Sequence, residues 1–431
     1  MATEKVGLAE AVSMAVGGMV GGGIFAVLGV VATAAGPLAW AAFVVAGVIA
    51  TAAGYSFVRL EHLTDEPTGP ITYVERFTGS QTLAGMTGWT FIVGYVGTMA
   101  MYAYAFGGYF TELLGAHAVA GVPARPVVSL CVVAVFVGLN ALGAHASGRT
   151  EDVLVGLKVL ILLVFGVGGL YYGFKHGELT TGLGNLGAGP IVAAAISFVA
   201  FEGWELLSFD QDSIRDPAAT TRKAIYLSIA IATALYVLVA VVTTDLVSAD
   251  VIAAHSETAL AIAAEPLLGR LGFVLIALAA LFSTASAINA TLFSSARLSK
   301  RLATEDLLPS QIESDSDDPL RALLVLGALT SAFTVLGSLD GITSFASLAF
   351  ITIFGGVSLL ALREREQAVA TWALPGLGVV GAAATVVALL WHLYATERGV
   401  FATVVAIAVV VIAVELLYFE REPLVEEVER L

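Results

Sequence analysis

The chain has 431 residues, of which 58% are hydrophobic and only 13% charged, where a soluble domain carries roughly 25% charged residues. A mean hydropathy of +0.91 and recurrent apolar runs of about 20 residues, each enough to cross a hydrocarbon core of about 30 Å, exclude a soluble protein. The formal net charge of −15 and the lack of a basic patch argue against nucleic acid as a partner.

About twelve helices are expected. Their approximate spans are 8–34, 38–60, 83–114, 126–144, 151–173, 190–209, 222–246, 259–295, 321–338, 342–361, 372–394 and 400–419. Residues 1–7 lead directly into the first of these, without the short apolar segment and cleavage site of a signal peptide. Most Lys and Arg, among them Lys5, Arg59, Arg76, Arg222, Lys223, Lys300, Arg301 and Arg363, fall on one side of this map. Arg125, Lys175, Arg270 and Arg398 fall on the other. The positive-inside bias therefore makes both termini cytoplasmic in a multi-pass cell-membrane protein. The acids crowd the same cytoplasmic side, in runs such as 313–318 and 426–429. Such a surface suits a salt-rich cytoplasm, as in a halophilic archaeon; an ordinary acidic surface is the alternative.

In chain order, the first unusual feature is Gly18-Met-Val-Gly21-Gly22-Gly23-Ile24-Phe25. Each glycine costs a helix about 1 kcal/mol relative to alanine, so four in six residues predict an unwound stretch. Its freed N–H groups would take an anionic ligand, and a substrate carboxylate at Gly21, Gly22 and Gly23 meets that need. The alternative is close helix packing through small residues. Cys131 is the single cysteine, which leaves no intramolecular disulfide and no cysteine metal site. Tyr102 and Tyr104 are both candidates to line a cavity.

Lys158 lies about 11 Å into its helix, ahead of the apolar run 159–167. A cation at that depth is costly; it is either functional or a permanent structural tether. The second interruption is Phe201-Glu202-Gly203-Trp204-Glu205. Carbonyls at Ala200, Phe201, Glu202 and Gly203 would accept from an ammonium group. Glu202 and Glu205 sit roughly 18–22 Å along their helix, at or past the midplane. They are proton carriers, selectivity elements for a cationic substrate, or static caps of broken backbone. Ser283, Thr284, Ser286 and Asn289 place hydroxyls and an amide at mid-depth in the eighth helix, where interhelical hydrogen bonding is the common role. Paired interruptions in two halves of a chain point to a secondary transporter built from inverted repeats.

Four segments resemble the amino acid–polyamine–organocation (APC) superfamily. They are Gly18 to Phe25; Gly69-Pro-Ile-Thr-Tyr73-Val-Glu-Arg76-Phe77-Thr-Gly79; Phe198 to Glu205 with Asp216-Pro217 and Ala224-Ile225; and Asn289 to Arg297 with Leu308-Pro309. They stand in family order over residues 10–310. The second begins Thr-Gly-Pro where the family usually has Pro-Gly-Gly. The resemblance implies an all-α membrane protein with a LeuT-like 5+5 inverted repeat and broken helices 1 and 6. Residues 8–173 would form the first repeat, 190–361 the second, and 372–419 two peripheral helices. It also implies that Phe201 gates the substrate. Lys158 would occupy the place of a sodium ion in sodium-coupled relatives, bridging to the helix 1 break and to Ser283 and Thr284.

The expectation is secondary active transport of amino acids by alternating access, coupled to protons and independent of sodium. The partners would be a small amino-acid substrate, protons and the lipid bilayer, with no obligate protein partner. No nucleotide-binding loop, zinc motif or nucleophile elbow is present, so neither a cofactor nor an enzymatic activity is expected. The rivals are a carrier of polyamines or other organic cations, anchored by Glu202 and Glu205, and an uncoupled channel or sensor on the same fold.

Overall fold

The computed structural model describes residues 5–64, 69–142, 148–177, 179–180, 182–183, 189–208, 213–304, 320–364 and 372–414, with backbone alone at 148–151 and 304. Leu308-Pro309 and the acidic runs at 313–318 and 426–429 lie outside the described residues.

Helix α1 spans Leu8–Ala35 and stops where Gly36 takes φ +55° and Pro37 opens a 3-10 turn. Helix α2, Ala39–Glu61, returns beside it. The short α3, Pro70–Thr78, ends on left-handed Gly79. Ser80 then caps α4, Gln81–Leu114, its hydroxyl accepting from Leu83 N at 3.2 Å. A two-residue antiparallel pair, Ala118–Val119 with Val122–Pro123, leads into α5, Ala124–Ala141. Next come α6, Gly148–His176, and α7, Gly189–Ser197. Helix α8 spans Pro217–Leu246, followed by the short α9, Ala249–Ala254, α10, Ala259–Ile262, and α11, Glu265–Leu268. The chain closes with α12, Arg270–Thr304; α13, Leu320–Leu336; α14, Leu339–Arg363; α15, Ala373–Thr396; and α16, Arg398–Val414.

The fold is an all-α, multi-spanning membrane protein. Seven stretches among the described residues are long and apolar enough to cross a bilayer: Leu8–Glu61, Ala124–Ala141, Asp152–His176, Pro217–Leu246, Arg270–Ala303, Leu339–Arg363 and Ala373–Thr396. The first contains two helices, α1 and α2. Against the about twelve spans expected, seven clear stretches are found among the described residues, beside further helices that are short or less apolar. Helices α13 and α16 have 17 residues each, short of the roughly 20 a crossing takes. Helix α4 is long but interleaves Gly, Thr and Tyr with its apolar residues.

Two expectations need correction. The span 259–295 is not one helix: α10 ends at Ile262, α11 carries Pro266 in its first turn and ends before Gly269 at φ +60°, and the long helix begins only at Arg270. Nor is helix 1 broken. Helix α1 runs unbroken through Gly18 to Gly23, with every residue from Met19 to Ala32 buried. Tertiary packing outweighs the helix propensity of glycine here, for the reason given with the site below.

Helix α1 is the centre of the molecule. It packs against α2, α7 and α8, and also against α4, α6 and α12. Helix α14 lies on α2 and α4, and α15 covers α14 and α2. Helix α16 has no buried residue. At one end, Val6 pairs with the chain beyond α7: Val6 N donates to Ser213 O and Arg215 N donates to Val6 O, both at 2.9 Å. Elsewhere Arg270 Nη2 donates to Glu112 O at 3.4 Å, joining the close of α4 to the start of α12.

Candidate functional site

The α-helix of α7 stops at Ser197. Phe198–Phe201 is a 3-10 turn, Glu202 is extended at φ −71° and ψ +146°, and Trp204–Ser208 is again 3-10. Gly203 between them takes φ +124°, a region open to essentially no other residue. A side chain on Gly203 would stand 2.9 Å from Gly18 Cα. The two backbones therefore touch, and Gly203 serves both the turn and the contact.

Breaking a helix in an apolar interior frees polar backbone that must be re-paired. Ser347 on α14 does this at the near side, donating to Ile196 O at 2.7 Å and accepting from Val199 N at 3.0 Å. Glu205, fully buried, does it at the far side, accepting from Gly203 N at 2.8 Å. Tyr236 on α8 donates to Ala200 O at 2.8 Å. That carbonyl, an expected ammonium acceptor, already holds one donor and keeps one lone pair. Phe201 is fully buried with its ring edge-on to Tyr236, centroids 5.4 Å apart.

Glu202 is 3% exposed. Its Oε2 accepts from Thr98 Oγ1 at 2.7 Å. Tyr95, Thr98 and Tyr102 recur at i, i+3 and i+7 on α4, so they share one face, and this face meets the break. Tyr95 and Tyr102 lie near Glu202 and Glu205, and the buried Tyr95 hydroxyl has no hydrogen-bond partner among the described residues. Tyr104 points elsewhere: the Arg125 guanidinium stacks 3.5 Å over its ring.

The glycines of α1 explain why that helix stays whole. A Cβ on Gly22 would collide with the Tyr102 ring. One on Gly23 would lie 2.8 Å from Ala200 Cα, and one on Gly18 would lie 3.0 Å from Gly203 Cα. One on Gly17 would lie 2.8 Å from Val155 Cγ2 of α6. These residues are small so that α1 can approach α4, α6 and the broken segment. In a continuous helix the N–H groups of Gly21, Gly22 and Gly23 are already bonded to their own turn.

On the other side of α1, Lys158 is 6% exposed and its Nζ donates to Gly17 O at 3.1 Å. Nζ lies 3.9 Å from where a Gly21 Cβ would stand, and Ala287 Cβ of α12 lies 3.1 Å from the same point. Ser283 is one turn before Ala287 on the same face, and its buried hydroxyl has no hydrogen-bond partner. Thr284 turns back to Ala280 O at 2.7 Å. Lys158 thus bonds to α1 at Gly17 O, whereas of the two α12 hydroxyls expected to bridge to it, that of Ser283 is unpartnered among the described residues and that of Thr284 bonds within its own helix.

Thr98, Tyr95, Tyr236 and Ser347 were not singled out from the sequence. The available signal was a hydroxyl inside an apolar helix, and this chain has many. Cys131 is exposed on α5.

The sequence model of the amino acid permease family matches residues 6–414. An uncharacterized protein of Methanocaldococcus jannaschii is 31% identical over 96% of this chain and 95% of its own length. The inner membrane transport protein YbaT of Escherichia coli is 30% identical over 84% of each chain. Among solved structures, a manganese transporter of Eremococcus coleocola superimposes with a TM-score of 0.60 at 12% identity, over 95% of this chain and 92% of that one. At that identity the likeness concerns the fold alone. With an interrupted helix packed on a glycine-faced one in a multi-spanning bundle, and a family match along nearly its whole length, this chain belongs to the amino acid permease family of the APC superfamily and is a transport protein, not an enzyme.

Proposed function

We propose that this protein is a secondary active transporter of amino acids, working by alternating access, driven by protons and independent of sodium. The observation that carries this reading is the junction itself. The backbone of the broken segment at Ala200 and Gly203 lies against α1 and Glu202 against α4, while a buried ammonium, Lys158, is bonded to the other side of α1 at Gly17 O. Carbonyls near Ala200 to Gly203 take the substrate's ammonium, and Phe201 gates. The carboxylate goes to Gly21, Gly22 and Gly23, which requires that turn of α1 to release its N–H groups. Lys158 exchanges its proton as α1 moves against α6 and α12, near Ser283 and Thr284.

In this reading the chain makes twelve crossings in a 5+5 arrangement, with repeats at 8–173 and 190–361 and peripheral helices at 372–419. Both termini are cytoplasmic. The main-chain bridge of Val6 to Ile214 supports placing the N-terminus at the same end as the chain after α7. The acidic composition suits a salt-rich cytoplasm.

A second reading has one observation in its favour. With α1 continuous, the N–H groups of Gly21 to Gly23 stay within their helix while the junction offers buried acceptors (Glu202, Glu205, Ala200 O). A polyamine or other organic cation fits such a site better than a zwitterion. The deciding experiment is uptake of a labelled amino-acid mixture into proteoliposomes under an inward proton gradient without sodium. Accumulation that a protonophore abolishes supports proton-driven amino-acid transport, and accumulation only with sodium removes the role given to Lys158. Failure under both gradients, with polyamine uptake that Glu202→Gln abolishes, establishes the second reading.

A further inference from the structure

We propose that Thr98 is a positioning residue for Glu202: it is the hydroxyl that keeps this carboxylate hydrogen-bonded whether or not it is charged. The proposal rests on Glu202 acting in the transport site. Thr98 is fully buried on α4. Its Oγ1 lies 2.7 Å from Glu202 Oε2 and 3.1 Å from Gly94 O, one turn back on its own helix.

A hydroxyl has one hydrogen and two lone pairs, and it rotates to suit its partners. When Glu202 is ionised, Thr98 donates to Oε2. When Glu202 has taken a proton on Oε2, Thr98 turns its own hydrogen to Gly94 O and accepts from the carboxyl O–H. The proton comes from the solvent side of the driving gradient and returns to solvent on the other side. No bond other than that O–H is made or broken. In both states the Thr98 hydroxyl and Glu202 Oε2 keep a partner, which matters because a buried polar group left unpaired is costly.

Glu205 is built differently. Its Oε2 accepts from the backbone N–H of Gly203 at 2.8 Å, a donor that cannot turn away. Of two carboxylates three residues apart, Glu205 therefore has its Oε2 on a fixed donor, with its Oε1 buried and unpartnered among the described residues, and Glu202 has a reversible partner. The titratable groups facing Glu202 are Glu205 on its own segment and Tyr95 and Tyr102 from α4, with Tyr236 of α8 beyond Tyr102. Lys158 is on the far face of α1. Among the described residues no ion pair to Glu202 is formed.

The test compares Thr98→Val, Thr98→Ala and Thr98→Ser, each alone and with Glu202→Gln, in proteoliposomes. Thr98→Val should raise KM several-fold and displace the pH profile of uptake by about one unit, with Thr98→Ala alike and Thr98→Ser close to wild type. In the Glu202→Gln background, Thr98→Val should add nothing. The proposal is overturned if Val and Ser behave alike, or if Thr98→Val causes the same loss with and without Glu202. A substrate-free readout separates this outcome from failure of the transport reading: the melting midpoint of the purified protein against pH. Thr98→Val should change its pH dependence only where Glu202 is present. An unchanged dependence overturns the proposal even if no tested solute is transported.

Discussion

Replacing Gly203 with alanine tests the junction most directly, because two independent costs meet there. Gly203 has φ +124°, and an L-residue forced into such a region costs about 1–3 kcal/mol. The added Cβ would also stand 2.9 Å from Gly18 Cα, Gly18 C and Met19 N. All three are backbone atoms of α1, so the helix itself must shift, and overpacking of this kind costs about 1–3 kcal/mol. The expected destabilisation is the sum, about 2–6 kcal/mol. Gly79→Ala is the control: its φ is +69° with nothing within 4 Å of the new Cβ, so it carries only left-handed strain of about 1–2 kcal/mol. The assay is the fraction of detergent-solubilised protein that remains monodisperse after a heat step, measured across temperature alongside uptake. Gly203→Ala should melt well below Gly79→Ala and transport poorly. If the two melt together, α1 and the broken segment do not touch as described and the reasoning fails.

Three further outcomes follow from the packing. Gly22→Ala places a methyl into the Tyr102 ring and should lower the melting midpoint; pairing it with Tyr102→Ala should recover part of the loss, and strict additivity of the two would contradict the contact. Ser347→Ala leaves Ile196 O and Val199 N without their shared partner, at a cost of about 1–3 kcal/mol, whereas an unchanged midpoint would mean the break is held by other means. Lys158→Met keeps the length and removes the charge: gradient-driven accumulation should vanish while substrate counterflow persists, and equal loss of both would mark the lysine as a structural tether.

The sequence revealed the membrane class, most helix positions and the interruption at Phe201 to Glu205, because all three are local. Apolar run length sets a crossing, and no neighbouring helix changes that. The interruption was equally legible, since Gly203 beside two intramembrane glutamates is hard to reconcile with a regular helix. The cluster Gly18 to Gly23 was misread. Propensity argued for unwinding, yet these glycines line up with Tyr102, Ala200 and Gly203 on one side, and with Lys158 and Ala287 on the other. A glycine that breaks a helix and one that admits a neighbour are the same letter, and only the neighbour distinguishes them.

The same limit explains the site. Lys158 was conspicuous as a lone cation in an apolar run, but that it bonds to Gly17 O, 141 positions away, depends on how α6 crosses α1. Thr98 was one of many threonines, several of which simply bond back to their own helix, and it differs only because Glu202 arrives 104 residues later at 2.7 Å. The amino-acid sequence by itself determined that this chain crosses membranes, roughly where most of its helices lie, and which polar residues stand out inside them, because hydropathy and backbone propensity act over a few residues. Only the tertiary structure decided which of those residues are partners, because hydrogen bonds and close packing act over a few ångströms in space and helices distant in the chain supply them.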